Sequence, residues 1–226
     1  MVEKESDEDF VDSIHISCNK AIFVGDACTG KTSIINWIID NTFNLTYEKS
    51  IGVDYKSKIL SSRGEIIKIQ LWDSAGEEKY KQLIPSYVKN SSIVFIVYDA
   101  SNRSSFENIP NWISFVKNIE KETIMILCGN KIDLKREVET KDGEQLAKNE
   151  GLLFFECSAK TNENIKNMFF SSIAALPTFE IVNESERDNL FRELLEENGD
   201  FQKDKWNQDL VVQQEWKISE NRVKLK

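Results

Sequence analysis

Short runs of β-branched and aromatic residues recur along this chain, separated by stretches whose apolar positions fall three and four apart. The runs Lys20–Val24, Asp54–Leu60, Ile66–Trp72, Ile93–Tyr98, Ile124–Cys128 and Leu153–Cys157 predict strands. Helical spacing predicts helices over Thr32–Ile39, a short piece near Lys79–Val88, then Ser104–Ile119, Lys141–Asn149 and Ile165–Leu176. Two strands meet across Ser61-Ser62-Arg63-Gly64-Glu65, which reads as a hairpin and gives one antiparallel neighbour. Elsewhere strands and helices alternate, which demands a mostly parallel sheet with helices on both faces. The Ile93–Tyr98 and Ile124–Cys128 runs are apolar without alternation, as central strands covered on both sides should be. The expected class is therefore α/β with a six-stranded, mostly parallel sheet. In such a sheet ligands sit beyond the carboxyl ends of the strands.

Composition narrows the picture. The chain has 226 residues, 40% hydrophobic and 30% charged, enough for one domain with appendages. Its longest apolar run, Ile93–Tyr98, is far short of the ~20 residues a membrane span needs. The start, Met1-Val2-Glu3-Lys4-Glu5, is too acidic for a signal peptide. The net charge of -9 argues against a nucleic-acid partner held by general electrostatics. The acid excess sits at the ends: residues 1–17 hold six acids against one base, and residues 178–226 hold twelve against eight. Residues 18–177 are balanced, with twenty of each. This divides the chain into an acidic N-terminal tail (1–17), a folded domain (18–177) and an acidic, partly helical extension (178–226). The four cysteines form no CxxC pair and there is one histidine, so no zinc site is expected. Cys128 and Cys157 end apolar runs and read as small core residues.

The loops after the strands carry the chemistry. Gly25-Asp26-Ala27-Cys28-Thr29-Gly30-Lys31-Thr32 joins a strand to a helix and has the spacing G-x-x-x-x-G-K-[ST]. Backbone N–H groups of such a loop curl round a phosphate, aided by the helix N-terminus. Lys31 would reach the β- and γ-phosphates, and the Thr32 hydroxyl would ligate Mg²⁺. After the third strand come Asp73-Ser74-Ala75-Gly76-Glu77. There Asp73 is placed to hold the metal's water shell, and Gly76 lets its N–H approach a γ-phosphate. Gly129-Asn130-Lys131-Ile132-Asp133 follows the fifth strand. The Asp133 carboxylate can accept from N1–H and the exocyclic amine of guanine, whereas adenine would face it with a lone pair. The Lys131 stem can lie along one face of the base. In Ser158-Ala159-Lys160, backbone N–H groups can donate to guanine O6 and Lys160 can cover the other face.

These four loops, in this order, resemble the Ras superfamily of small GTPases, and the Rab family above all. Ser50-Ile51-Gly52-Val53-Asp54-Tyr55, Ile69-Gln70-Leu71-Trp72-Asp73-Ser74-Ala75-Gly76, Val97-Tyr98-Asp99 and Ser104-Ser105-Phe106 to Trp112 carry the resemblance. It implies the P-loop small GTPase fold over about residues 18–177, with GTP/GDP and Mg²⁺ as cofactors. It further implies that Asp26, Ala27, Cys28, Thr29, Gly30, Lys31, Thr32 and Ser33 line the phosphates. By the same likeness Phe43 flanks the guanine, Tyr47 closes over the phosphates, and Thr32, Ser50 and Asp73 serve the metal. Residues 42–53 and 74–88 would be the two switches that effectors read, with an exchange factor and an activating protein as further partners.

Departures from the Rab pattern bear on hydrolysis and on membranes. Glu77 stands where the family carries the glutamine that orients the attacking water. A carboxylate cannot donate to γ-phosphate oxygens as an amide can, and is repelled by them. Ala27 replaces a usual Gly or Ser, and Ser50 replaces Thr. With Lys31 and Glu77 as the catalytic pair, the expectation is a Mg²⁺-dependent GTP/GDP switch with slow intrinsic hydrolysis. A non-hydrolysing GTP-binding scaffold is the alternative. The chain ends Asn221-Arg222-Val223-Lys224-Leu225-Lys226, without the cysteines that are prenylated in Rabs, and Met1-Val2 lacks the glycine for myristoylation. A monomer in the cytoplasm is expected, reaching endomembranes only through partners, with a role in vesicle trafficking. In the extension, Ser185 and Asp188 suggest a helix start and Phe191, Leu194 and Leu195 an apolar stripe. Three readings stay open for it: folding back on the domain, binding a partner, or remaining disordered.

Overall fold

The computed structural model describes residues 16–43, 53–62, 65–74 and 82–177. The extension over 178–226, nearly all of the N-terminal tail, Tyr47, Ser50, Ala75, Gly76 and Glu77 lie outside the described residues. Six strands appear in the expected order: β1 (Ile16–Val24), β2 (Val53–Ser62), β3 (Glu65–Ser74), β4 (Ile93–Asp99), β5 (Ile124–Asn130) and β6 (Leu153–Glu156). The helices are α1 (Lys31–Asp40), α2 (Ile84–Val88), α3 (Arg103–Glu107), α4 (Ile109–Ile119), α5 (Thr140–Glu150) and α6 (Ile165–Ala174). The strands form one sheet in the order β2-β3-β1-β4-β5-β6. Only β2 and β3 pair antiparallel, with Ser62 opposite Glu65 across the hairpin; the other neighbours are parallel.

Alternation along each strand divides the core between two faces. Ala21, Phe23, Phe95 and Val97 join Ile34, Ile35 and Ile38 of α1 and Met168, Phe169 and Ile173 of α6. Ile22, Val24, Val94, Ile96 and Tyr98 join Ile84 and Val88 of α2, Phe106 of α3 and Ile109, Trp112, Ile113 and Val116 of α4. Both faces being covered, every residue of β4 is buried, which is why its sequence shows no alternation. Phe23 and Phe95, opposite each other in register, stack with ring centroids 4.3 Å apart.

Two predicted elements differ in extent or number. β1 begins at Ile16 rather than Lys20, because its first half pairs only with β3, where polar Ser17 and Asn19 break the apolar run. The single helix expected over Ser104–Ile119 is two helices broken at Asn108. Pro110 has no N–H to give the carbonyl four residues back, and its ring crowds that carbonyl, so the chain caps and restarts. Among the described residues no helix is long and apolar enough to cross a membrane. Cys128 and Cys157 are buried as expected, their sulfurs 3.4 Å apart.

Candidate nucleotide site

The carboxyl ends of β1, β3, β4, β5 and β6 gather the candidate residues at one edge of the sheet. Gly25 leaves β1 at φ 137, and a Cβ there would run into the Val97 carbonyl, so only glycine fits between the loop and β4. At Gly30, with φ 95, a Cβ would collide with the Asn130 side chain. The loop is thus packed flat against the strands by its two glycines. Cys28 between them adopts φ 63, a left-handed conformation that costs a non-glycine residue roughly 1 kcal/mol or more. Its thiol and Ala27 are exposed.

Lys31 begins α1 and is almost wholly buried. Its ammonium donates to the Gly25 carbonyl at 3.0 Å and the Asp26 carbonyl at 2.7 Å. Burial pushes it down to about 8, against the pull of the Asp73 and Asp26 carboxylates. The N-cap residue of α1, Gly30, makes no side-chain cap hydrogen bond, and the partial positive charge of a helix N-terminus favours an anion. Thr29 Oγ1 donates to the Asp26 carbonyl at 3.0 Å, closing the turn. Ser33 follows in the first turn of α1, half-buried.

Thr32 Oγ1 donates to Asp73 Oδ2 at 2.6 Å, across 41 residues of chain. This brings a hydroxyl and a buried carboxylate together beside the phosphate loop. Such a hard-oxygen pair fits Mg²⁺, which takes one or two protein oxygens and completes its shell with water and phosphate. Among the described residues no group of three or more His, Cys, Asp or Glu side chains is placed to hold a metal ion.

Asn130 ties the loop after β6 to the loop after β1. Its Nδ2 donates to the Thr29 carbonyl at 2.9 Å, and its Oδ1 accepts from the Ala159 N–H at 3.0 Å. Ser158 Oγ donates to Asp133 Oδ1 at 2.6 Å, and Lys160 Nζ lies 3.8 Å from Asp133 Oδ2. Only 12% of the Asp133 side chain is exposed, although the residue as a whole is exposed; a carboxylate so covered would discriminate between ligands that can and cannot donate to it. Lys131 is left-handed at φ 65, and its ammonium pairs with Asp99 at 2.6 Å, laying the stem out from β5 toward β4. Phe43, after α1, packs half-buried against the core.

In the loop after β6, the Ser158 N–H donates to the Glu163 carbonyl at 3.0 Å and the Ala159 N–H to Asn130 Oδ1 at 3.0 Å, as buried backbone donors need partners. Asp26 contributes its carbonyl to Lys31, while its carboxylate turns away and accepts from Asn108 Nδ2 at 2.7 Å and Trp112 Nε1 at 2.8 Å. A carboxylate facing the phosphates would repel them; two neutral donors from α4 anchor it elsewhere.

The sequence did not single out several residues that build this site. Asp99 positions Lys131, and Trp37 of α1 donates its indole N–H to the Ala159 carbonyl. Asn108 and Trp112 hold Asp26 from 82 and 86 residues away. Only the polar ending of an otherwise apolar strand, at Asp99, could have signalled any of them.

The rim thus brings together a loop bounded by two glycines with a buried ammonium, a hydroxyl–carboxylate pair, and a largely covered carboxylate side chain. Compared with known protein families, residues 20–178 match the Ras family. That match spans well over half of the chain, the sheet order and antiparallel pair agree with it, and the protein belongs to the Ras family of small GTP-binding switch proteins.

Proposed function

We propose that this protein is a Rab-like, Mg²⁺-dependent GTP/GDP switch with slow intrinsic hydrolysis, acting through effectors in vesicle trafficking. The observation that carries the reading is Asp133, held by Ser158 at 2.6 Å. Asn130, three residues earlier, bonds to the phosphate loop at Thr29. Base recognition and phosphate recognition therefore belong to one bonded unit. Lys31 and the amides at the start of α1 bind the phosphates; Thr32 and Asp73 would hold Mg²⁺, joined by Ser50. The metal would neutralise charge on the β- and γ-phosphates. Ordering of residues 42–53 and 74–88 by the γ-phosphate would create the surface that effectors, an exchange factor and an activating protein recognise.

Slow hydrolysis rests on Glu77 and Ala27. An acid in place of an amide loses a donor to the γ-phosphate and adds repulsion, so Glu77→Gln should speed single-turnover GTP hydrolysis by about tenfold or more. Equal rates in the two proteins would remove Glu77 from the account. The same two residues favour a second reading, a GTP-binding scaffold that does not hydrolyse. Acceleration of hydrolysis by a Rab-type activating protein decides for the switch, and its failure for the scaffold. A cytoplasmic protein brought to endomembranes by its partners is part of the same proposal. Flotation of the purified, nucleotide-loaded protein with plain liposomes contradicts that.

A further inference from the structure

We infer that the Arg136–Glu156 ion pair is a positioning clamp, setting how long and how selectively the two base-reading loops hold a guanine; this rests on the guanine-nucleotide reading above. The loops after β5 and β6 touch on the ligand side through Ser158–Asp133 and Ala159–Asn130. Those contacts use the groups that read the base. A separate tie lies behind them. Arg136, three residues past Asp133, donates Nη1 to Glu156 Oε1 at 2.6 Å and Nη2 to Oε2 at 2.8 Å. Thr140, at the start of α5, adds its hydroxyl to Oε2 at 2.9 Å. Glu156 is the last residue of β6, two before Ser158, and its carbonyl accepts from Asn164 Nδ2 at 3.0 Å.

Geometry sets this pair apart from the other ion pairs among the described residues; Lys131–Asp99 is as shielded, but a single ammonium makes it. A surface pair such as Arg103–Asp142, with side chains 45% and 35% exposed, is screened by water and fixes little. The Glu156 side chain is only 12% exposed and that of Arg136 29%, so the carboxylate in particular has little access to water. The two-pronged, planar contact fixes both the distance and the rotation between the loops, which a single ammonium could not. Arg136 pulls with it the segment that carries Lys131 and Asp133; Glu156 pulls the one that carries Ser158 and Lys160. Without the clamp, Glu156 keeps the Thr140 hydroxyl as its remaining side-chain donor among the described residues. Its loop would then move to find water. Displacement of a binding group by ~1 Å can cost on the order of 100-fold.

The test compares GDP with IDP, whose base lacks the exocyclic amine that Asp133 would read, on the full chain. Dissociation rates of both nucleotides are measured for wild type, Arg136→Gln, Glu156→Gln and Arg136→Lys, alongside thermal melting. The clamp predicts that GDP leaves the two Gln variants about 10- to 100-fold faster, while the preference for GDP over IDP contracts. If the Gln variants do not fold, Arg136→Lys carries the test, since one prong for two must also contract that preference. An unchanged preference, whether both nucleotides leave equally faster or neither does, overturns the clamp and leaves the pair a general stabiliser. A wild type that holds IDP as tightly as GDP fails at the earlier step, the guanine reading itself.

Discussion

Lys31 shows how one buried residue turns chemistry into a measurable pH dependence. Its ammonium is lowered to about 8 by burial, while its unfolded value is 10.5. Below about pH 8 it is charged in both folded and unfolded chains, and its burial opposes folding in full. Between 8 and 10.5 the folded chain loses the proton first, so that penalty fades as pH rises. A bound phosphate reverses the preference by favouring the charged form, so binding must take up a proton wherever the free protein has lost one. GDP titrated at pH 8, in buffers of different ionisation enthalpy, should therefore show uptake of about half a proton. Affinity should be flat below about pH 7 and fall by up to about tenfold per pH unit above 8. Absence of proton uptake at pH 8 contradicts this. At the other end of the site, Asp133→Ala removes an acceptor whose charged hydrogen bonds are worth ~1.5–3 kcal/mol each. GDP affinity measured by competition should drop on the order of 100-fold or more, and a change within threefold would contradict the role given to the carboxylate. Both side chains were legible in the sequence because each sits at a fixed spacing inside a loop motif. Their environments were not: that Asp26 turns to α4 and that Asp99 holds Lys131 depend on residues distant in the chain.

Helix α4 links the phosphate loop to the scaffold, and the reading of this element from sequence failed in one particular. Apolar spacing runs through Ser104–Ile119, so periodicity favoured one helix; Pro110 broke it, and the local rule about proline won over the pattern. The break has a use. It places Asn108 at the start of α4, one turn from Trp112, where both reach Asp26 Oδ1. Trp112→Phe keeps a large ring in the core but removes one donor, for a net cost of about 1 kcal/mol. The melting temperature should fall by ~2–4 °C and GDP release should quicken several-fold. Melting that falls with unchanged release would confine Trp112 to packing. In the sheet, Phe95 lies fully buried on β4 and stacked on Phe23. Phe95→Ala should cost ~3–5 kcal/mol by the cavity it leaves, read as a large drop in denaturant midpoint; a loss below 1 kcal/mol would mean the stack is not where the core draws its stability. The unbroken apolar runs made β4 and β5 easy to find. Strand β1 was only half found, since Ser17 and Asn19 interrupt its apolar pattern while its backbone still pairs with β3.

At the scale of the molecule, a parallel sheet with one antiparallel edge delivers five strand ends to a single rim. Each end contributes a different group, and Asn130 joins the loop after β6 to the loop after β1. The class of fold could be read from alternation alone, and the candidate site was proposed from four loop motifs in order. The cross-links among those loops could not, since they depend on how the sheet order brings distant segments together. The account stands on the claim that this rim holds a guanine nucleotide through Asp133 and Lys31 at once. The most direct measurement is to purify the protein in Mg²⁺, identify the nucleotide it retains, and displace it with competing nucleotides. The account predicts close to one GDP or GTP per chain, displaced by guanosine nucleotides and not by ADP or ATP at equal concentration. A protein that comes away empty, or that yields its nucleotide to ADP as readily as to GDP, contradicts it.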